Sequence, residues 1–151
     1  MRPGVLLLLA AWPAHAQEDM PSVDAALLDA CRTQACIGQA ARQCVDAAGA
    51  MAQGVCAGAE TAYWRARAEG ALNVLRAQAP QVAARAARLG WPDPVPTLDA
   101  IETGFAAYRD AACAWRMAQW DGIHAGFEQA DCDLRLTARH ALWLEERTRS
   151  D

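Results

Sequence analysis

Thr97-Leu98-Asp99-Ala100-Ile101-Glu102-Thr103-Gly104-Phe105-Ala106-Ala107-Tyr108-Arg109-Asp110-Ala111-Ala112-Cys113-Ala114-Trp115 is the stretch that decides the fold. Leu98, Ile101, Phe105, Tyr108, Ala112 and Trp115 recur at alternating steps of three and four. That period belongs to one face of a helix; a strand would alternate every second residue. The spacing predicts a helix with an a/d seam, Thr97 as its cap and Asp99 in its first turn. Upstream, Gly90-Trp91-Pro92-Asp93-Pro94-Val95-Pro96 reads as a stiff, non-helical connector, because proline removes a donor and clashes with a preceding turn. Before it, an alanine-rich pattern predicts a long helix from about Gly58 to Leu89, bent at Pro80. Downstream, Gly122 and Gly126 break the pattern. A last helix is expected from about Gln129 to Arg147, with Leu134, Thr137, Ala141 and Leu144 on its inner face. At the other end, Ser22 is expected to cap a helix with Asp24 in its first turn. A break follows at Cys31 to Gln34, then a short helix capped by Thr33 and running to about Val45. Gly49 and Gly54 bracket a loop. The fold class is all-α: a small bundle closed by a C-terminal antiparallel helical hairpin.

The first residues read differently. Arg2, the apolar run Val5 to Ala11 and Ala14-His15-Ala16 have the order of a secretory signal peptide, with cleavage expected after residue 16. Residues 17–151 are then expected to form a single helical domain outside the cytoplasm, periplasmic or secreted. The chain has six cysteines, Cys31, Cys36, Cys44, Cys56, Cys113 and Cys132, all beyond that leader. An even set in a short exported chain reads as a disulfide framework. Antiparallel packing of the last two helices would join Cys113 to Cys132. By the same logic Cys44 and Cys56 flank the Gly49/Gly54 loop, leaving Cys31 with Cys36. That third bridge requires the break at Arg32 to Gln34; otherwise Cys31 and Cys36 exchange partners with Cys44 and Cys56.

Fourteen basic residues face eighteen acids, for a formal charge of −4, and every basic residue is arginine. An acidic chain with no basic stripe argues against nucleic acid and anionic membranes and is compatible with a basic protein partner. No catalytic constellation is present. Ser22 and Ser150 are the only serines, and no nucleophile elbow, phosphate loop or H-E-x-x-H motif occurs. No C-x-x-C pair brings Glu128, His124 or His140 into a metal set, and C-x-x-C-H for haem is missing. The expectation is a non-enzyme without metal or cofactor.

Four stretches carry a resemblance. Phe105-Ala-Ala-Tyr108-Arg109-Asp110-Ala-Ala-Cys113 is followed by Ala130-Asp-Cys132-Asp-Leu-Arg135-Leu136-Thr137-Ala-Arg139. Cys36-Ile37-Gly38 and Cys56-x-x-x-Glu60-x-x-x-Trp64 precede them. Together they resemble the LprI-type lysozyme-inhibitor family over about Cys31 to Arg147. The resemblance implies an exported helical protein that inhibits lysozyme-type muramidases by occluding their cleft. After its tryptophan that family commonly carries Asp-x-x-Leu-Asn-x-x-Tyr, and here those places hold Arg65, Ala68, Glu69 and Leu72. The departure motivates a second reading, an envelope interaction or structural module of the same fold with a non-lysozyme partner. Tyr108, Arg109 and Asp110 read either as a recognition surface or, through Arg109 or Asp110, as register pairs with Arg135, Arg139 or a carboxylate across the hairpin. Trp91 and Trp120 are candidates for an exposed partner surface, whereas Trp64, Trp115 and Trp143 read as core. The Gly90 to Pro96 connector and the Gly122 to Gly126 turn are the two candidate loops for entering a partner's cleft, with nothing in the sequence to choose between them. Glu60 reads as a first-turn acid favoured by its own helix N-terminus, and His124-x-x-x-Glu128 as an ordinary turn.

Overall fold

A computed structural model describes residues 21–149; the signal-peptide reading of residues 1–16 lies outside them. Asp24, not Ser22, opens the first helix: its carboxylate accepts from the backbone N–H of Ala26 (2.8 Å) and Leu27 (3.3 Å). The chain then runs through α1 (Ala25–Ala30), a 3-10 turn (Gln34–Cys36), α2 (Gln39–Ala48), a second 3-10 turn (Ala50–Ala52), α3 (Gln53–Leu89), α4 (Val95–Met117) and α5 (Ile123–Thr148). There is no strand among the described residues.

Each helix after α1 starts earlier or differently than the glycine and proline punctuation suggests. Thr33 precedes only the 3-10 turn, and its hydroxyl caps nothing. Gly49 (φ +91°) makes the turn before α3, so Gly54 lies inside that helix rather than in a loop. The connector is confined to Gly90–Pro94. Pro94 is the N-cap of α4, Pro96 sits in its first turn, and Thr97 donates its N–H to the Pro94 carbonyl (3.0 Å). First-turn N–H groups have no acceptor inside the helix, so proline costs nothing there. Gly122 (φ +59°) ends the hairpin turn and α5 begins at once, with Gly126 and the His124-to-Glu128 segment helical. An isolated glycine costs about 1 kcal/mol against alanine, which the packing of α5 on its neighbours outweighs.

α4 and α5 form the antiparallel hairpin. α3 runs in the same direction as α5: Gly54 faces Phe127 near the start of both, and Leu72 packs with Leu144 farther along. α1 and α2 cover the open side, where Leu28, Ile37, Ala40, Ala41, Ala57, Trp64, Leu134, Ala138 and Ala141 form the main core. The alanines let helix backbones approach closely, and Trp64 is the largest fully buried side chain. Leu134, Thr137, Ala141 and Leu144 are all buried. Arg67 ties the layers: it spans Glu145 through two nitrogens (2.6 and 2.5 Å), donates to the Leu28 and Cys31 carbonyls, and lies 4.5 Å from the Trp64 ring centre.

Glu60 is completely buried, in the second turn of α3, and it serves a different helix from the one it sits on. It accepts from the backbone N–H of Gly38 and Ala41 (both 2.8 Å), at the N-terminus of α2, and from Trp64 Nε1 (3.0 Å). One carboxyl side chain thereby satisfies three buried donors.

The a/d seam of α4 does not continue through the helix. Tyr108 is 61% exposed and Trp115 73%. The face turned toward α5 carries Phe105, Arg109, Cys113 and Arg116 instead. The cause is chemical: Cys113 lies beside Cys132, and the two arginines meet carboxylates of α5. Of the tryptophans read as core, only Trp64 is buried; Trp115 and Trp143 are not.

Candidate protein-docking surface

The hairpin is fixed by covalent and ionic contacts along its length. The six cysteines lie at bonding distance in three pairs, Cys113 with Cys132 (Cα–Cα 5.5 Å), Cys44 with Cys56 and Cys31 with Cys36 (both 5.7 Å). The last pair meets because Cys31 leaves α1 in extended conformation and Cys36 closes the 3-10 turn, so no continuous helix separates them. Toward the hairpin tip, Arg116 contacts Glu128 (2.5 Å) and Asp131 (3.0 Å), and Arg135 also reaches Asp131 (2.9 Å). Burial pulls the Arg116 guanidinium down, but its bond to Glu128 and the two acidic charges outweigh that. Its pKa is raised above the ordinary arginine value, so it stays charged. Glu128 is thus committed to an arginine. His124 instead lies among rings, 6.3 Å from Trp120 and 6.2 Å from Phe127. No cluster of three or more metal-ligating side chains exists among the described residues.

Farther down, Arg109 points into the hairpin, 3.2 Å from Asp133 and 2.8 Å from Asp110. Asp133 also receives Arg65 (2.8 Å), so the place where an acid was expected after Trp64 holds a cross-helix ion pair. Arg109 therefore sets register through Asp133, and Asp110 meets neither Arg135 nor Arg139. Tyr108 and Asp110 are both exposed, on opposite flanks of α4.

What remains exposed is aromatic. Tyr108 and Trp115 stand seven residues apart on the outer side of α4. Trp120 (49% exposed), Asp121 and Ile123 surround the turn that follows. Trp91 is 63% exposed but belongs to the connector at the far end of α4, roughly 35 Å away for a helix of this length. The structure thus leaves Tyr108 exposed on one flank of α4, Asp110 on the opposite flank two residues on, Trp120 at the hairpin tip and Trp91 apart from all three. Trp115 and Ile123 were missed as surface residues. The seven-residue step from Tyr108 to Trp115 placed them on one face without saying which way that face points.

Large rings on a braced scaffold, flanked by acids, are docking chemistry. Residues 44–144 match the family model described as Lysozyme inhibitor LprI, and the chain belongs to that family. No curated protein and no solved structure matches it. Among the described residues no helix is long and apolar enough to cross a membrane.

Proposed function

We propose that this chain is an exported protein that inhibits a lysozyme-type muramidase by seating the tip of the α4–α5 hairpin in the enzyme's cleft. The exposed group Tyr108, Trp115 and Trp120 beside Asp121 carries this reading. Aromatic rings give large contact area at small rotamer cost and dominate the energy of protein interfaces. A muramidase cleaves with two carboxylates in a cleft, and a hairpin that fills the cleft excludes substrate without any bond being made. Family membership and the acidity of the chain support the partner class. Residues 1–16 act as the export signal, residues 17–151 fold as one domain, and the three cysteine pairs are oxidised outside the cytoplasm. Neither cofactor nor metal takes part.

Turbidity of a muramidase digest of cell walls tests it. Oxidised protein at micromolar excess is expected to slow clearing. Trp120→Ala and Trp115→Ala each weaken the effect at least about tenfold, while Trp91→Ala leaves it unchanged. Loss on Trp91→Ala alone would transfer the contact to the other end of α4. The second reading, an envelope module with a different protein partner, is favoured by Arg65 and Leu72, which serve internal packing here. Full-rate clearing at that excess, with repeated capture of one non-lysozyme protein, would establish it instead.

A further inference from the structure

A groove of about 350 Å³ runs between the Arg32–Gln34 bend and the outer side of α5 near its C-terminal end, lined by Arg32, Arg139, Leu142, Trp143, Glu146 and Arg149 among others. Its chemistry differs from that of the chain as a whole. Three guanidinium groups from two separate segments line it, in a protein with more acids than bases. Arg139 and the Arg149 side chain have no hydrogen-bond or ion-pair partner among the described residues. Arg32 donates only to main-chain carbonyls, those of Asp29 and Cys31. The one lining carboxylate, Glu146, already meets Arg147 (3.1 Å).

The walls are held. Cys31 and Cys36 brace the bend from both sides. Trp143 is gripped in a stack that crosses the hairpin. Its ring lies near-parallel to His140 at 6.0 Å, and His140 lies near-parallel to Phe105 at 3.8 Å and bonds Glu102 (2.7 Å). Arg147 lies 5.0 Å from the Trp143 ring centre. The Trp143 indole N–H, the Thr33 hydroxyl and the Gln34 amide have no partner among the described residues. The groove is therefore rich in donors and poor in acceptors. A helix C-terminus attracts arginine by its dipole, which accounts for Arg149. Arg139 lies ten residues earlier, where the dipole does not reach.

We infer that this groove binds a compact multivalent oxyanion, a tricarboxylate or a phosphate monoester, held by Arg32, Arg139 and Arg149 with the indole N–H of Trp143. Guanidinium forks match such oxygens, and the volume suits a small ligand. The site is separate from the hairpin tip and stands without the inhibitor reading.

Calorimetric titration of the full oxidised protein at low salt with citrate, inorganic phosphate, glucose 6-phosphate and glucose tests it. Saturable one-to-one binding of citrate or a phosphate, millimolar or tighter, is expected, with none for glucose. Response to both phosphates at equal affinity identifies the bare anion as what is read; preference for glucose 6-phosphate or citrate identifies the organic body as well. Arg139→Gln should weaken binding at least about tenfold, Trp143→Phe less, and Arg85→Gln not at all. Absence of saturation by every anion, or affinity untouched by Arg139→Gln and Arg149→Gln, would overturn the assignment. Protection of cell walls by the Arg139→Gln protein keeps the outcome distinct from that of the hairpin tip.

Discussion

Glu60 is the residue on which the packing of α2 against α3 turns. Its carboxylate serves the Gly38 and Ala41 N–H groups and the Trp64 indole at once. Glu60→Ala strands all three donors in a site closed to water. We expect a loss of about 3 kcal/mol or more in urea unfolding. Glu60→Gln keeps one acceptor oxygen and should cost less; a change below about 1 kcal/mol for alanine would show that water replaces the side chain. The four-residue step to Trp64 was visible in the sequence. The Gly38 end was not, because nothing local marks a partner 22 residues away. Tyr63 gives a second test at this scale. Burial raises its pKa above the ordinary 10.0, and the hydrogen bond to Asp29 and the Asp29 charge add to this, against a smaller opposite pull from Arg67 and Arg32. A raised folded value means the native state favours the neutral phenol. That contribution to stability is intact below pH 10 and is lost as pH rises through the raised value. In Tyr108→Phe, which leaves Tyr63 as the only tyrosine, absorbance titration should show a midpoint above 10. A midpoint at or below 10 would remove the Asp29 contact from the account.

Among the elements, α4 separates pattern from packing. Its apolar residues repeat as a seam, yet beyond Phe105 the inward positions pass to Arg109, Cys113 and Arg116, one position on from Tyr108, Ala112 and Trp115. A hydrophobic repeat identifies a helix and its period. It cannot tell an apolar stripe that meets a neighbour from one that meets solvent, since ionic partners on α5 lie outside the window. Helix existence, number and order were therefore legible. Which face was buried was legible in α5, where Leu134 to Leu144 are apolar or small and neighbours agree, but not in α4. The starts of α3, α4 and α5 were misjudged for a related reason, as glycine and first-turn proline are tolerated once tertiary contacts hold the helix. Stability should follow the structure. Phe105→Ala removes the ring stacked on His140 and is expected to cost about 2–3 kcal/mol, whereas Tyr108→Ala should stay within about 0.5 kcal/mol. Equal losses in thermal or urea melts would restore the seam. Replacing Cys113 and Cys132 together by alanine opens a loop of 19 residues and should lower stability by about 3 kcal/mol. Peptide mapping of the unreduced protein reads the pairing itself.

For the molecule as a whole, charge is distributed unevenly along the hairpin. Asp121 lies at its tip beside the exposed Trp120, while Arg32, Arg139 and Arg149 gather near the C-terminal end of α5. Such a molecule approaching a basic enzyme is turned tip first before any contact forms, because steering acts over a Debye length of about 8 Å at physiological salt. The composition disclosed the net charge, but its separation along the fold appears only when the helices are placed. Steering and anchoring then act on different rate constants. Raising salt, or substituting Asp121→Asn, should slow association with a basic muramidase several-fold and leave dissociation nearly unchanged. Trp120→Ala should speed dissociation and leave association nearly unchanged. Surface-binding kinetics from low to high salt measure both constants on the same samples. An association rate that ignores salt and Asp121 would mean that charge plays no part in the encounter. A salt effect confined to dissociation would place the acids inside the closed interface rather than along the approach to it.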